Sequence, residues 1–249
     1  MTSPQNDFEG RVALITGAVR GLGRAAAERL LARGASVAVN VRGAERADAL
    51  ARDLGDRALA VPGDVTEAPE VLVAKVLERF GRLDILVNNA AYAQSTRFHD
   101  LTADEWRRAI EVNLTAPFLL TQAVVPPMKA QKYGRIVNIS SLAGQTVSTL
   151  GGAHYTASKA GLQGFTRAAA KELGAYGITV NAICPGMIDT ELTREHATNE
   201  ELAAIAGGYP IARLGTREEV ADLICFVASE AAGYITGASL DINGGDLML

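Results

Sequence analysis

The sequence predicts an α/β fold: a single domain built on a doubly wound, mostly parallel sheet of about seven strands with helices on both faces. Three observations carry this. Short aliphatic and β-branched runs recur with little polar alternation, as strands covered on both faces require. Each run is joined to the next by a stretch of helix length, which makes parallel pairing the simplest connection. No linker, repeat or low-complexity block interrupts the alternation, so residues 1–249 read as one domain.

The elements follow in order. Behind a polar tail, "RVALITG" (11–17) is an apolar run stopped by glycine, and "RGLGRAAAERLLARG" reads as a helix ending near Gly34. "SVAVNV" (36–41) is the second strand, "AERADALARDLG" a helix, and "ALAVPGDV" (58–65) the third strand. "EAPEVLVAKVLERFG" gives the next helix and "LDILVNNA" (83–90) the fourth strand. Thr102 with Glu105 forms a capping-box signature for a helix beginning "ADEWRRAIEVNL", which Pro117, Pro126 and Pro127 are expected to bend or break. "GRIVNISS" (134–141) is a strand, a helix runs through "YTASKAGLQGFTRAAAKEL", and "ITVNAICPG" is the sixth strand. Thr216 and Glu219 cap "REEVADLICFVASE", and "GASLDING" (237–244) supplies the last strand. Residues 187–213 show no clear period; following a strand end, they are placed to cover a ligand site.

Composition excludes several classes. With 48% hydrophobic and 21% charged residues, the chain is neither disordered nor fibrous. A formal net charge of −4, with both signs mixed along the chain, gives no electrostatic reason for a nucleic-acid partner. Cys184 and Cys225 lie in apolar runs and read as buried free thiols, and the scattered histidines make no metal site. The N-terminus lacks a secretory h-region and no apolar run reaches bilayer length. A cytoplasmic location is expected, with small molecules or further copies of the chain as partners.

Chemistry concentrates in two places. In "TGAVRGLG", Gly17, Gly21 and Gly23 permit a tight turn and close backbone approach between the first strand and a helix N-terminus. That arrangement suits the pyrophosphate of a dinucleotide. The spacing is Gly-x3-Gly-x-Gly, and the absence of GK[ST] rules out a P-loop. The second strand ends Asn40-Val41-Arg42, with no acid to hold a ribose 2′-hydroxyl. Arg42, with Arg20 in the glycine loop, therefore either meets a 2′-phosphate or merely solvates the surface. The first choice makes NADP(H) the preferred cofactor and NAD(H) the alternative. The second place is Tyr155 with Lys159, which helical i, i+4 spacing sets on one face as surface decoration or as a tuned acid–base pair.

"TGAVRGLG" (16–23), "GDV" (63–65), "NNA" (88–90), Asn113 in "VNLTAPF", Ser141 in "NISSLAG", "YTASK" (155–159) and "PGMIDT" (185–190) occur in one order across the chain. In that set the chain resembles the short-chain dehydrogenase/reductase family, with its Rossmann-type fold. The pattern, including the tail "ARLGTREEVADLICFVASEAAGYITGASLDINGG", is most similar to bacterial 3-oxoacyl-[acyl-carrier-protein] reductases and their relatives. The resemblance implies hydride transfer between NADP(H) and a ketone or secondary alcohol. It makes Tyr155 the general acid/base and Ser141 the partner of the substrate oxygen. Lys159 would hold the nicotinamide ribose and lower the tyrosine pKa, and Asn113 would hold a water leading to solvent. It further implies that Asp64 and Val65 contact adenine, that Asn89 and Ala90 line the ribose channel, and that Ile188 and Thr190 hold the carboxamide end. Leu22, Pro185 and Gly186 complete the cofactor set. Outside that context, Ser141 is a polar strand end and Asn113 a side chain beside the Pro117 kink.

Two departures from the family stand out. Ala91 follows Asn88-Asn89-Ala90 where the family usually has glycine, and "QTVSTLGGAH" looks about one residue longer than in acyl-carrier reductases. His154 joins Ser141 and Tyr155 as a substrate-binding candidate, in a pocket walled by residues 91–98, 142–154 and 187–210. An acidic carrier protein would want a basic entrance, for which Arg97, Arg107, Arg108, Lys129 and Lys132 are the candidates. The family's dimers and tetramers imply a homo-oligomer, with a homotetramer expected. The rivals are a silent cofactor-binding scaffold and nucleotide-sugar epimerase or dehydratase chemistry, the latter wanting a longer C-terminal region.

Overall fold

Alternation within the strands, too faint to see as polarity, appears as a division between two apolar layers. The computed structural model describes residues 7–148 and 151–248. Its main sheet joins β1 (Val12–Thr16), β2 (Ser36–Val41), β3 (Ala58–Pro62), β4 (Ile85–Asn88), β5 (Gly134–Ile139) and β6 (Ile178–Pro185). A small pair, β7 (Ile188–Asp189) with β8 (Gly215–Thr216), lies outside it, and β9 (Ser239–Ile242) is its last member. The order is β3-β2-β1-β4-β5-β6-β9, all parallel. The seven strands match the expected number. The reversal between β1 and β4 opens the crevice where ligands bind in such sheets.

The helices are α1 (Gly21–Ala32), α2 (Ala44–Leu54), α3 (Pro69–Phe80), α4 (Ala103–Ile110), α5 (Ala116–Gln131), α6 (Ala153–Leu173), α7 (Glu191–His196), α8 (Asn199–Gly207) and α9 (Arg217–Ala228). Ile15 pairs in register with Val39 and Val87 and packs in one layer with Leu30 of α1 and Ile224 of α9. Its neighbour Leu14 pairs with Ala38 and Leu86 and packs in the opposite layer with Val76 of α3 and Leu120 of α5. A period of two therefore feeds both cores from one strand. Each such leucine or isoleucine contributes roughly 1.5–3 kcal/mol by burial.

Where the structure departs from the sequence reading, the causes are local. Strands β3, β4 and β5 end at Pro62, Asn88 and Ile139, because the residues beyond them turn into the site. The prolines do not break the fourth long helix. Pro117 has no N–H to bond the Asn113 carbonyl, and the chain widens into a π turn at Glu111–Thr115 that joins α4 to α5. Pro126 and Pro127 lie inside α5, which continues to Gln131. The joined run Ala103–Gln131 has the length and composition of a bilayer span, which the sequence reading missed; here it packs against α3 and α6. Residues 187–213, read as aperiodic, contain β7, α7 and α8, with Thr198 and Glu201 forming a capping box for α8. The capping boxes at Thr102 and Thr216 are both present, and both cysteines are buried free thiols.

A charge cluster closes the amino edge of the sheet. Asp84, fully buried just before β4, accepts from Arg11 (3.1 Å), from Arg82 (2.8 and 2.6 Å) and from the Val12 N–H (2.9 Å). Arg11 lies over the Tyr133 ring at 3.8 Å and reaches Glu230 at 2.7 Å. Asp84→Ala strips all these donors of their shared acceptor. It is expected to cost about 3 kcal/mol, a fall in Tm of roughly 6–12 °C for a chain of this size. Urea unfolding of the two proteins measures this, and coincident transitions would show the cluster to be dispensable.

Candidate active site

Four strand ends deliver the site. β1 leads into the glycine loop, β4 into Asn89–Tyr92, β5 into Ser140–Ser141, and β6 into Gly186–Thr190. Thr16 binds the first two together: its hydroxyl accepts from the N–H groups of Asn89 and Ala90, both at 3.0 Å. Asn89 returns its amide to the carbonyls of Thr16 (2.9 Å) and Gly17 (3.1 Å). A Cβ on Gly23 would stand 2.4 Å from the Asn89 amide nitrogen, so only glycine fits where α1 passes behind this lock. The sequence reading missed Thr16; its signal is a hydroxyl closing an otherwise apolar strand.

Two cavities open along this edge. The larger, about 430 Å³, is on the scale of a cofactor site. Every cofactor residue expected from the sequence lines it except Gly23, which sits behind the loop. Arg46 and Arg108 line it as well, and neither was foreseen there. Glycine backbone at the N-terminus of α1 provides the cradle a pyrophosphate needs. Arg20, however, is already engaged: it forms a bidentate ion pair with Glu195 of α7, across to the covering segment. Arg42 and Arg46 make no ion pair among the described residues.

The smaller cavity, about 160 Å³, meets the larger at Ser141 and Tyr155, which line both. Behind them Lys159 is 2% exposed, and its ammonium donates to the Ile139 carbonyl at 2.7 Å, 5.5 Å from the centre of the Tyr155 ring. Burial pushes Lys159 down to about 8, which leaves it mostly protonated at pH 7. Burial raises the Tyr155 phenol above its ordinary value, and a hydrogen bond with Ser141 pulls it down. The resemblance had Lys159 lowering the tyrosine; in this geometry burial dominates and Ser141 opposes it.

Asn113 occupies the π turn and is fully buried. It accepts from the Tyr92 N–H (2.7 Å) and donates to the Tyr92 carbonyl (2.9 Å) and the Ser158 hydroxyl (2.9 Å). It therefore clamps the β4 loop to α6 one residue from Lys159, a role the sequence did not suggest. His154 is a correction. It is fully buried, 6.0 Å from the Tyr92 ring, and lines neither cavity. Of the expected pocket wall, residues 149–150 lie outside the described residues. Three of the five residues expected at a basic entrance are engaged or placed elsewhere. Arg108 turns inward to Asp64 at 3.0 Å, Arg107 pairs with Asp104, and Lys129 lies over Tyr176 near the start of β5, the edge of the sheet opposite Tyr155.

Comparison with known proteins agrees with this layout. The profile of a family described as "Enoyl-(Acyl carrier protein) reductase" matches residues 17–246. The chain is 40% identical over 245 residues to the 3-oxoacyl-[acyl-carrier-protein] reductase FabG of Escherichia coli K12, covering 98% of this chain and all of that one. This chain belongs to the short-chain dehydrogenase/reductase family. A Synechocystis 3-oxoacyl-[acyl-carrier-protein] reductase is 43% identical over 245 residues, 96% of this chain and 97% of its own. Among solved structures, a Brucella melitensis reductase of that name superposes with a TM-score of 0.92 at 34% identity, over 99% of this chain and 95% of that one. A second from the same organism, described with bound NAD, gives 0.89 at 34% identity and the same coverage. As a short-chain dehydrogenase/reductase, the chain is an oxidoreductase with a dinucleotide site.

The buried lysine gives the site a stability cost with a defined sign. Its folded pKa is depressed, so burying the charged form disfavours folding at every pH below about 8. That penalty disappears as pH rises from the folded value toward the ordinary lysine value near 10.5. Lys159→Met should therefore stabilise the fold at pH 7, by on the order of 3 kcal/mol of unfolding free energy, and so raise Tm, while removing activity. Melting curves at pH 7 and pH 9.5 should show the gain shrinking. A variant less stable than the parent at pH 7 would refute this.

Proposed function

We propose that the chain is an NADP(H)-dependent ketoreductase that interconverts a ketone and a secondary alcohol. The observation that carries the reading is the meeting of a dinucleotide-scale cavity and a small cavity at Ser141 and Tyr155, with the Lys159 cation buried behind them. A bound nicotinamide cofactor supplies the hydride. Within the chain, Ser141 fixes and polarises the substrate oxygen, and Tyr155 gives its phenolic proton to that oxygen in reduction or takes it back in oxidation. Lys159 keeps a positive charge beside the phenol as it loses its proton. Asn113 and Thr16 position the loops that hold these groups.

Preference for the 2′-phosphorylated cofactor rests on Arg42 and Arg46, which line the cavity where β2 ends without a carboxylate. Arg20 is a weaker candidate because Glu195 already holds it. The relatives named 3-oxoacyl-[acyl-carrier-protein] reductases support a carrier-bound or related 3-oxo substrate. Residues 187–213, carrying α7 and α8 over the cavities, serve as the substrate cover of a single cytoplasmic catalytic domain. Exposed Phe118, packed edge-on against Phe165 at 6.0 Å across α5 and α6, supports association into a homo-oligomer through that face.

Offering NADPH and NADH in parallel against an acetoacetyl thioester and neutral ketones tests the reading. Tyr155→Phe is expected to lower kcat by about 10²–10⁴-fold while fluorescence titration still shows cofactor binding. Equal turnover by Tyr155→Phe would remove the tyrosine from the chemistry. Replacing both Arg42 and Arg46 by alanine should raise KM for NADPH about tenfold or more and leave KM for NADH nearly unchanged. An equal rise for both cofactors would mean that these arginines do not read the phosphate.

A further inference from the structure

The small cavity has an unexpected electrostatic character. Of its described lining residues, Asp246 alone carries a formal charge, and none is a lysine, arginine or histidine. Tyr209 stands beside Asp246 in that wall, and both burial and the Asp246 charge hold its phenol above the ordinary tyrosine value. Asp246 itself is exposed at the cavity wall.

Its position is built into the chain. After β9, Asn243 organises a tight turn: its side-chain carbonyl accepts from the Gly245 N–H (2.9 Å), and its amide donates to the Leu247 carbonyl (2.9 Å). The Asp246 N–H closes back on the Asn243 carbonyl at 3.2 Å, and Ile211 donates to the Gly244 carbonyl at 2.9 Å. Gly245 has φ +87°, and a Cβ there would stand 2.8 Å from Pro210. The turn is wedged between the β6 exit at Gly186 and the Tyr209–Ile211 segment, and it presents Asp246 to the cavity that holds Ser141 and Tyr155.

We infer that Asp246, supported by Tyr209, determines substrate class: it selects ketones carrying a hydrogen-bond donor or a positive charge close to the carbonyl, such as an amide N–H, and rejects those carrying a carboxylate. This inference rests on the ketoreductase reading. A carboxylate accepts strong charge-assisted hydrogen bonds from N–H or O–H donors. A second carboxylate in the same partly enclosed space, with no cation among the described lining residues to offset it, is repelled.

Three matched 3-oxo compounds test it: acetoacetamide, which bears a donor, methyl acetoacetate, which is neutral without one, and acetoacetate, which bears a carboxylate. The wild-type kcat/KM should fall in that order, with a spread of at least about tenfold between first and last. Asp246→Asn should shrink the spread about tenfold, mainly through a lower KM for acetoacetate, and Asp246→Lys should reverse the order. Melting temperatures near that of the parent would show that both variants fold. If methyl acetoacetate is reduced in a Tyr155-dependent manner but the spread is unchanged in Asp246→Asn, this inference is overturned and the ketoreductase reading stands. If no ketone is reduced, both fall together.

Discussion

The Lys159 ammonium is the constraint around which the carboxyl edge of the sheet is arranged. An almost fully buried cation needs a strong acceptor, and it takes the carbonyl of Ile139, the last residue of β5. The other groups there follow from keeping helix and strand end in contact. The Ser140 hydroxyl donates to the Lys159 carbonyl at 3.0 Å, and Gln163, one turn further along α6, donates to Ser140 and to the Ser141 carbonyl at 3.2 Å each. A Cβ on Gly144 would fall 2.8 Å from the Lys159 backbone, so the short turn after Ser141 presses directly on α6. These contacts bring Ser141 and Tyr155 within hydrogen-bonding reach although fourteen positions of chain, by their numbers in the sequence, separate them.

The π turn shows how a backbone defect becomes a tool. Pro117 removes one helical hydrogen bond, and the widened turn that results holds Asn113 against Tyr92 and Ser158. A regular helix would rotate the asparagine to another heading. The clamp also fixes the loop after β4, which Thr16 holds from the other side. The cofactor wall is thus braced by two polar side chains that need not touch a ligand themselves.

The fold and the glycine cradle were legible in the sequence because both rest on local rules, whereas most of the remaining cofactor wall came from the family resemblance. Apolar runs joined by helix-length segments specify a parallel sheet, and a glycine loop between strand and helix specifies a nucleotide cradle. What was misread depends on partners distant in the chain or on direction around a helix. Arg20 looked available until Glu195, 175 positions away, was seen to hold it. Arg108 looked like entrance charge until Asp64 drew it inward. His154 adjoins Tyr155 in sequence, yet one helical step is about 100°, enough to turn it from the cavity into the packing. Pro126 and Pro127 carry a strong local bias against helix, which tertiary packing of α5 overrides.

The placement of Asp84 has a consequence for how such a molecule can diverge. Its cluster of arginines joins β1 and β4 at the amino edge, at the far end of the strands from Ser141 and Tyr155. This anchor is therefore spatially separate from the residues that line the small cavity. Substitutions in that cavity wall leave the contacts of Asp84 in place, so the lining can vary without drawing on this part of the framework.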